Sequence, residues 1–226
     1  MSRDDDFLCA WRATQRSAST ADCASGRCSV EPMREPPAEA VTRAARPACY
    51  LVIDVEATCD DAGAVPGPEM EIIEVGAVFV DGASLAPLEE FQTFVRPVRH
   101  PRLTAFCTQL TTITQAMADA APGFPEAMAG LSSRIHAHGG APQVLFASWG
   151  AYDRSQFEQD CRYHSVAWPF GPDHLNLKAQ FSERRGSSRR FGMAQALRVV
   201  GLPLAGTHHR GIDDARNIAR LLPFIV

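Results

Sequence analysis

The sequence contains no long apolar segment. In its 226 residues no run reaches the ~18 apolar residues that a membrane-spanning helix requires. The chain opens MSRDDDFLCAW, with an acidic cluster where a secretory signal carries basic residues, and no continuous apolar segment follows. We therefore expect a protein that is neither secreted nor inserted in a membrane, and we expect a cytoplasmic location.

The chain also carries no excess of positive charge. Its formal net charge is -4 at neutral pH, and its isoelectric point is near 6.0. A partner rich in phosphate would therefore not be attracted by the protein as a whole. If the partner is a nucleic acid, a local basic patch and bound cations must supply the attraction.

An even, regularly spaced set of cysteines is missing as well. The seven cysteines are odd in number, and several fall on apolar segments, unlike those of a secreted disulfide framework. We expect them to be reduced thiols. Cys23 and Cys28 do not indicate a zinc site, because no second pair and no histidine follow at zinc-site spacing.

Composition divides the chain at about residue 46. Residues 1–46 are rich in Ala, Ser, Arg, Pro and acidic side chains and show no sustained period of 2 or 3.6. We expect this part to be a disordered or loosely structured N-terminal extension. Residues 47–226 have the length of one domain with a sizeable core.

Five apolar segments of this domain predict strands, and they cover residues 49–58, 71–82, 91–95, 144–148 and 174–177. The first three follow one another closely, which favours an antiparallel meander. The fourth is followed directly by a helical pattern, which favours a strand parallel to the first. The sequence therefore predicts an α/β fold in which a mixed five-stranded sheet is flanked by helices.

Two acids interrupt the first apolar segment. Asp54 and Glu56 are two residues apart, so in a strand both side chains leave the same face. Like charges that close raise each other's pKa, and burying them costs several kcal/mol unless a cation is present. The pattern predicts a metal site, and two solvated acids at the end of a strand remain the alternative.

A third acid follows the fourth predicted strand. Asp153 comes directly after VLFAS and Trp149-Gly-Ala-Tyr, at the start of the next helix. Open α/β sheets bind ligands at the carboxyl ends of their strands, so an acid here is well placed for a site. An acid that only stabilises the N-terminus of its helix is the alternative.

The segment THHRGIDDARNIARLL offers two equally spaced pairs of histidine and acid. These are His208 with Asp213 and His209 with Asp214. At 100° per residue, Asp214 falls on the apolar stripe of a helix over 213–222, whereas Asp213 lies about 100° away and is suited to be the N-cap. We therefore expect Asp214 to face the sheet and His209 to lie in the loop before the helix. A solvated surface histidine is the alternative.

Taken together, these residues resemble the DEDDh 3′-to-5′ exonucleases, which carry the acids Asp, Glu, Asp and Asp with a histidine five residues before the last. The stretches IDVEATC, EIIEVGAVFVD, SWGAYD and HHRGIDDARNIARLL look like those of the Eri-type branch, which trims RNA 3′ ends, and of bacterial KapD-like relatives. The resemblance covers about residues 49–223 and implies an RNase H-like fold. It also implies two bound Mg²⁺ or Mn²⁺ ions, whose ligands would be Asp54, Glu56, Asp153 and Asp214. His209 would be the general base.

The same resemblance implies contacts with the end of a nucleic acid. Ala57 and Thr58 would contact the terminal sugar or phosphate, and Phe106 would stack on the terminal base. Trp149 is a second aromatic candidate. For both aromatic residues, plain packing in the core is the alternative.

One dense basic patch lies between two predicted helices, and it consists of Arg184, Arg185, Arg189 and Arg190. Such a patch would track phosphates along a nucleic acid. A solvated charged loop is the alternative, and the salt dependence of binding distinguishes the two.

The resemblance implies a metal-dependent 3′-to-5′ exonuclease that releases nucleoside 5′-monophosphates from single-stranded or overhanging 3′ ends, with RNA preferred. A proofreading-type DNA exonuclease built on the same acids is the first alternative. A non-catalytic nucleotide- or RNA-binding regulatory protein is the second, since a fold does not determine a function. The expected partners are single-stranded RNA or DNA 3′ ends, with no membrane, and the sequence does not indicate a protein partner.

Overall fold

The computed structural model describes residues 46–226. The extension that we predict for residues 1–46 lies outside this part of the chain, apart from Arg46, and it stays a prediction.

A five-stranded mixed sheet forms the centre of the described domain. Its strands are β1 (Cys49–Ala57), β2 (Ile72–Asp81), β3 (Pro87–Phe94), β4 (Val144–Ser148) and β5 (His174–Asn176). Their order is β3-β2-β1-β4-β5, with β1–β2 and β2–β3 antiparallel and β1–β4 and β4–β5 parallel. The predicted meander and the predicted parallel neighbour of β1 are both confirmed.

Helices flank this sheet, as the sequence predicts. They are α1 (Ala105–Thr111), α2 (Gln115–Ala120), α3 (Phe124–Ala137), α4 (Tyr152–His164), α5 (Leu177–Arg184), α6 (Met193–Val199) and α7 (Gly211–Ala219). Two short 3₁₀ turns, Gly67–Glu69 and Leu222–Phe224, complete the elements. The last helix begins two residues earlier than predicted, and this shift affects the role of an acid described below.

Both faces of the sheet are covered, which explains the continuous apolar run of β1. Leu51 and Ile53 pack with side chains of α3 and α4 on one face. Tyr50 and Val52 pack with side chains of α5, α6 and α7 on the other. The two acids of β1 have even numbers, so they share the face of Tyr50 and Val52.

The carboxyl end of β1 extends past its parallel neighbour. β4 ends at Ser148, which pairs with Ile53, whereas β1 continues to Ala57. The last residues of β1 are therefore flanked by β2 on one side only. The acids Asp54 and Glu56 lie near this end of the central strand.

Among residues 46–226, no helix has the length and apolar character required to cross a bilayer. The four cysteines of this part of the chain are buried free thiols, as the reduced state predicts, and they are Cys49, Cys59, Cys107 and Cys161. Cys23 and Cys28 lie outside the described residues.

Candidate active site

The two acids of β1 lie at the centre of the site. The side chain of Glu56 is buried, and that of Asp54 is half-buried. Both leave the sheet on the side of α7, as the alternation of a strand requires. The carboxylates are thus presented by the most central strand of the sheet.

Helix α7 brings a third carboxylate to the same place. Asp214 is 4% exposed, and it lies on the buried side of α7 with Ala215 and Ile218. Carboxylate oxygens of Asp54, Glu56 and Asp214 all lie within 4.8 Å of one another, a separation that a metal ion could span. Two acids of β1 and a third acid that is distant in sequence therefore converge, and we call the three the carboxylate cluster.

Two glycines allow this close approach of α7. A Cβ atom added at Gly76 of β2 would lie 2.1 Å from the backbone of Gly211 and of Ile212. A Cβ added at Gly211 would lie 3.0 Å from the carbonyl oxygen of Asp54. The first turn of α7 consequently rests directly on the backbone of β1 and β2, which places Asp214 beside the acids of β1.

The alternative acid of α7 points elsewhere. Asp213 accepts a hydrogen bond from the N–H of Thr207 at 2.9 Å and pairs with Arg216 at 2.8 Å. The prediction that Asp214 faces the sheet is confirmed. The prediction that Asp213 is the N-cap was wrong, because the glycine contact lets the helix begin at Gly211, with Arg210 as its N-cap.

Two histidines lie beside Asp214. The backbone N–H of His209 donates to Asp214 Oδ2 at 3.1 Å, and His208 Nδ1 lies 2.9 Å from the same oxygen. Their rings stack with centroids 4.0 Å apart, and His209 has a φ of 64°. Both histidines and Asp214 form a second group of possible ligands within 4.8 Å. Sequence reasoning missed His208 as a partner of Asp214, and the His-His doublet was the available signal.

The fourth predicted ligand occupies the other side of β1. Asp153, the second residue of α4, is 2% exposed, and its Oδ1 accepts the N–H of Val55 at 3.1 Å. That N–H lies beyond the end of β4, so Asp153 supplies the acceptor that a longer β4 would provide. Within the described residues, its carboxylate is not part of a group that meets the 4.8 Å separation. Asp153 thus contacts the backbone of β1 at Val55, between Asp54 and Glu56 in the chain, and its role as a metal ligand stays a prediction.

The residues after Glu56 link β1 to its surroundings. Thr58 donates its N–H to the Glu71 carbonyl at 2.8 Å, and its Oγ1 accepts the Glu71 N–H at 2.9 Å. The Ala57 carbonyl accepts from the Cys107 thiol at 3.7 Å. Phe106 is half-buried and precedes Cys107 in α1, the helix whose thiol contacts the end of β1, and its contact with a substrate stays a prediction.

Two thiols, those of Cys59 and Cys107, lie next to each other near the end of β1. A hydrogen bond to Cys107, together with burial, raises the pKa of Cys59 above its usual range. Thr104 donates its hydroxyl to the Cys59 carbonyl at 2.7 Å. These contacts attach α1 to the segment that follows β1.

Trp149 lies in the core. It is 4% exposed, its indole N–H donates to the Phe191 carbonyl at 3.1 Å, and its ring packs against Phe181. This packing accounts for the residue without a substrate. The predicted substrate contact of Trp149 therefore gains no support from its position.

The predicted basic patch is exposed, and it comprises Arg184, Arg185, Arg189 and Arg190 at the end of α5 and in the loop before α6. Arg190 lies 3.9 Å from Glu183, and the Arg185 guanidinium lies 4.9 Å from the ring centroid of Phe181. Arg190 also donates to the Ala179 carbonyl at 2.9 Å, so these contacts of Arg185 and Arg190 are with residues of α5. Their role in phosphate tracking stays a prediction.

Comparison with known proteins identifies the family. The family model for exonucleases, RNase_T, matches residues 51–222. Human ERI1 exoribonuclease 3 is 32% identical over 178 residues, which are 76% of this chain and 52% of the relative. The probable 3′-5′ exonuclease KapD of Bacillus subtilis is 27% identical over 176 residues, which are 77% of this chain and 83% of the relative. The chain thus spans about half the length of the human relative.

Solved structures agree with this comparison. The nuclease domain of 3'hExo, a DEDDh family member bound to rAMP, superposes with a TM-score of 0.73 at 27% identity. It covers 78% of this chain and 90% of that one. A structure of a 3′-exonuclease recognising the 3′ end of a histone mRNA stem-loop also gives 0.73, covering 78% of this chain and 62% of that one, at 27% identity. The predicted RNase H-like fold and the predicted Eri-type resemblance are confirmed, and the chain belongs to the RNase_T exonuclease family.

Proposed function

We propose that this chain is a metal-dependent 3′-to-5′ exonuclease that releases nucleoside 5′-monophosphates from single-stranded or overhanging 3′ ends and prefers RNA. The observation that carries the proposal is the convergence of Asp54, Glu56 and Asp214 oxygens within 4.8 Å at the end of β1. Family membership supports the reaction class. The names of the relatives, exoribonucleases in human and other species, support RNA as the substrate.

The donor set of the cluster fits a hard divalent cation. Mg²⁺ and Mn²⁺ prefer carboxylate oxygens, and three such groups meet here at a separation suited to shared coordination. Asp54, Glu56 and Asp214 would hold two such ions, and Asp153 would complete the set from the α4 side. When bound, the ions lower the pKa of the attacking water and stabilise the departing 3′ oxygen.

The chain's own groups supply orientation and a proton acceptor. An imidazole exchanges a proton near neutral pH, so His209 is suited to accept the proton of the attacking water. The contact of its N–H with Asp214 holds the residue at the cluster. Ala57, Thr58 and Phe106 would receive the terminal nucleotide, because they line the end of β1 beside Glu56.

The exposed arginines would follow the phosphates of the longer chain. Replacing Arg184 and Arg185 by Ala should weaken the salt dependence of RNA binding. The slope of log K against log salt concentration should become shallower by about one for each phosphate that is no longer neutralised. Arg198→Ala is the control, because Arg198 is an exposed arginine of α6 outside the patch. An unchanged slope in the double variant would refute the role of the patch.

The proposal is tested with RNA and DNA of one sequence, each single-stranded with a 3′-hydroxyl, in Mg²⁺, Mn²⁺ or EDTA. We expect nucleoside 5′-monophosphates from RNA, and we expect EDTA and Asp54→Asn to abolish them. Asp119→Asn is the matched control, because Asp119 is an exposed acid of α2. Equal or faster DNA degradation would overturn the RNA preference, and activity that persists in EDTA would overturn the metal dependence. No hydrolysis under any condition would favour the non-catalytic alternative.

A further inference from the structure

A further buried acid stands beside the carboxylate cluster. Glu74 of β2 lies directly opposite Glu56 of β1, and its side chain is 0% exposed. Side chains opposite each other in an antiparallel pair lie on the same face, about 4.5 to 5.5 Å apart at Cβ. A carboxylate in this position is unfavourable unless the protein pairs it with a cation and with hydrogen-bond donors.

The protein supplies those donors from two directions. Arg210 Nε and the Gly211 N–H lie 3.0 and 3.1 Å from Glu74 Oε2. Gln92 Nε2 and Arg210 Nη2 lie 2.6 and 3.4 Å from Oε1. Three of these four contacts therefore come from two consecutive residues, Arg210 and Gly211.

These two residues lie between His209 and Asp214 in the chain. Arg210 is the N-cap of α7, and Gly211 is its first residue. His209 has a φ of 64°, a backbone conformation that residues other than glycine adopt at a cost in free energy. The surrounding contacts must hold the loop in this conformation. Asp214 contacts His208 and His209 directly, and Glu74 contacts the next two residues, Arg210 and Gly211.

We propose that the Glu74–Arg210 ion pair is a positioning element of the candidate active site. It holds the loop of His209 and the first turn of α7 in register with the acids of β1. The pair acts through His209 and Asp214 and takes no part in the chemistry. The inference rests on the proposed function for its kinetic consequence, but its structural consequence can be measured without any substrate.

A direct substrate contact by Arg210 is the competing role. Its side chain is 20% exposed, two of its nitrogens face Glu74, and its guanidinium lies 5.3 Å from the ring centroid of Phe94. The group is thus enclosed by β2 and β3. This geometry favours positioning, and kinetics separate the two roles because removal of a substrate-binding group raises KM.

The same helix provides a matched control. Arg216 also pairs α7 with a strand, through Glu90 of β3 at 2.6 Å. Its side chain is 44% exposed, and it lies on the outer side of the helix. Arg216→Met removes this ion pair and the contact of Arg216 with Asp213, but it removes no contact of His209, Arg210 or Glu74.

The first measurement is hydrogen exchange of the metal-free full chain. Arg210→Met should raise exchange about tenfold or more in a peptide over residues 207–214 and leave a peptide over β1 unchanged, because the opening is local. Arg210→Lys should restore part of the protection, and Arg216→Met should leave 207–214 near wild type. Unchanged exchange in Arg210→Met, or faster exchange spread evenly over the domain, would overturn the inference.

The second measurement is the kinetics on single-stranded RNA at saturating Mn²⁺. Arg210→Met should lower kcat about 10- to 100-fold with little change in KM, because a small misplacement of the general base costs this much. In a His209→Ala background the same change should lower kcat by a smaller factor, because the part of the effect that acts through His209 is already lost. A raised KM with kcat unchanged would show a substrate contact and overturn the inference. A wild-type chain that hydrolyses no RNA would contradict the proposed function, and the exchange measurement would still decide the inference.

Discussion

Within residues 46–226, two groups of largely buried acids have different surroundings. At the end of β1, Asp54, Glu56 and Asp214 converge within 4.8 Å. Beside α4, Glu71 and Asp160 are 2% and 1% exposed and are held by Arg99, which pairs with both. One group gathers oxygens around a point, whereas the other surrounds an arginine of the same chain.

The second group is balanced by groups of the protein itself. Glu71 accepts the backbone N–H groups of Val98, Arg99 and His100 at 2.8, 2.7 and 2.8 Å. Asp160 accepts the Ile72 N–H at 2.7 Å. Burial raises the pKa of Asp160, and this N–H and the charge of Arg99 oppose the rise.

The two groups differ in what their acids do: one group stabilises the fold, and the other is arranged to bind a cation. The acids around Arg99 join α4, the start of β2 and the segment after β3, so their removal should cost stability. The acids of the cluster bring carboxylate oxygens together, and a divalent cation is the natural complement of that arrangement. Substitutions in the two groups should therefore have opposite consequences for stability and for metal binding.

The largest expected effect is on the free energy of unfolding, when one acid of each group is replaced by alanine. Asp160→Ala leaves the buried Arg99 without one carboxylate and the Ile72 N–H without its acceptor, so unfolding should become easier by about 3 to 5 kcal/mol. Asp54→Ala should change the metal-free stability by less than about 0.5 kcal/mol or raise it, because it relieves repulsion between like charges. Urea unfolding in EDTA measures both, with Asp119→Ala as the surface control. A larger loss in Asp54→Ala than in Asp160→Ala would contradict the distinction.

The next effect concerns the contact that brings Asp214 to β1. Gly76→Ala places a Cβ 2.1 Å from the backbone of Gly211 and must displace α7. We expect a loss of about 1 to 3 kcal/mol in urea unfolding and a loss of Mn²⁺ affinity. Gly130→Ala in α3 is the control, because its Cβ would lie at an ordinary 3.5 Å from Phe91. Wild-type Mn²⁺ affinity in Gly76→Ala would show that the glycine contact does not build the cluster.

A smaller effect should follow from the cation itself. At a free Mn²⁺ concentration ten times its Kd, binding to the folded state alone adds about 1.4 kcal/mol. The thermal midpoint of the wild type should therefore rise with Mn²⁺, and that of Asp214→Asn should rise much less. Asp160→Asn should retain the full rise despite a lower midpoint. An equal rise in Asp214→Asn and the wild type would place the binding elsewhere.

The smallest effect on the free energy of unfolding comes from a half-buried histidine that is hydrogen-bonded to a neutral hydroxyl. His174 Nε2 lies 2.9 Å from Ser148 Oγ, and burial, with the charge of Arg154, lowers the pKa of His174 from 6.5 to about 4. The native state therefore binds fewer protons than the unfolded state below pH 6.5, and stability is lost as the pH falls from 6.5 to about 4. After allowance for solvent near the ring, we expect a loss of about 1 kcal/mol.

His174→Gln should remove this part of the pH dependence. Urea unfolding across the window measures the difference, with His136→Gln as the control, because His136 is an exposed histidine of α3. Parallel pH profiles for the wild type and His174→Gln would show that the ring is not a determinant of acid stability.

The apolar pattern predicted the sheet and the helices, because the central strands are buried on both faces and read as continuous apolar runs, whereas a helix buries one face. The edge strand β3 (Pro87–Phe94) shows where periodicity is insufficient. Its first residues, Pro87 and Leu88, are exposed, so the apolar alternation is visible only from Phe91. Helix geometry identified Asp214 from the stripe of α7, and it misjudged Asp213, because the early start of the helix depends on a glycine contact between distant segments.

The contacts between distant acids and arginines could not be predicted from local pattern. Glu74 had a signal, a charge inside the apolar run EIIEVGAV, but its partner Arg210 lies 136 positions away. Arg99 pairs with Glu71 and with Asp160, and each of the three residues belongs to a different segment of the chain. Pairings of this kind depend on the three-dimensional arrangement, whereas strand and helix periods are written in neighbouring residues.

The central claim is that the converging acids hold divalent cations, and anomalous diffraction from crystals grown with Mn²⁺ tests it most directly. We expect an anomalous peak bound by carboxylate oxygens of Asp54, Glu56 and Asp214, and its loss in Asp214→Asn. A peak confined to other acids, or no peak between these three carboxylates at saturating Mn²⁺, would contradict the claim.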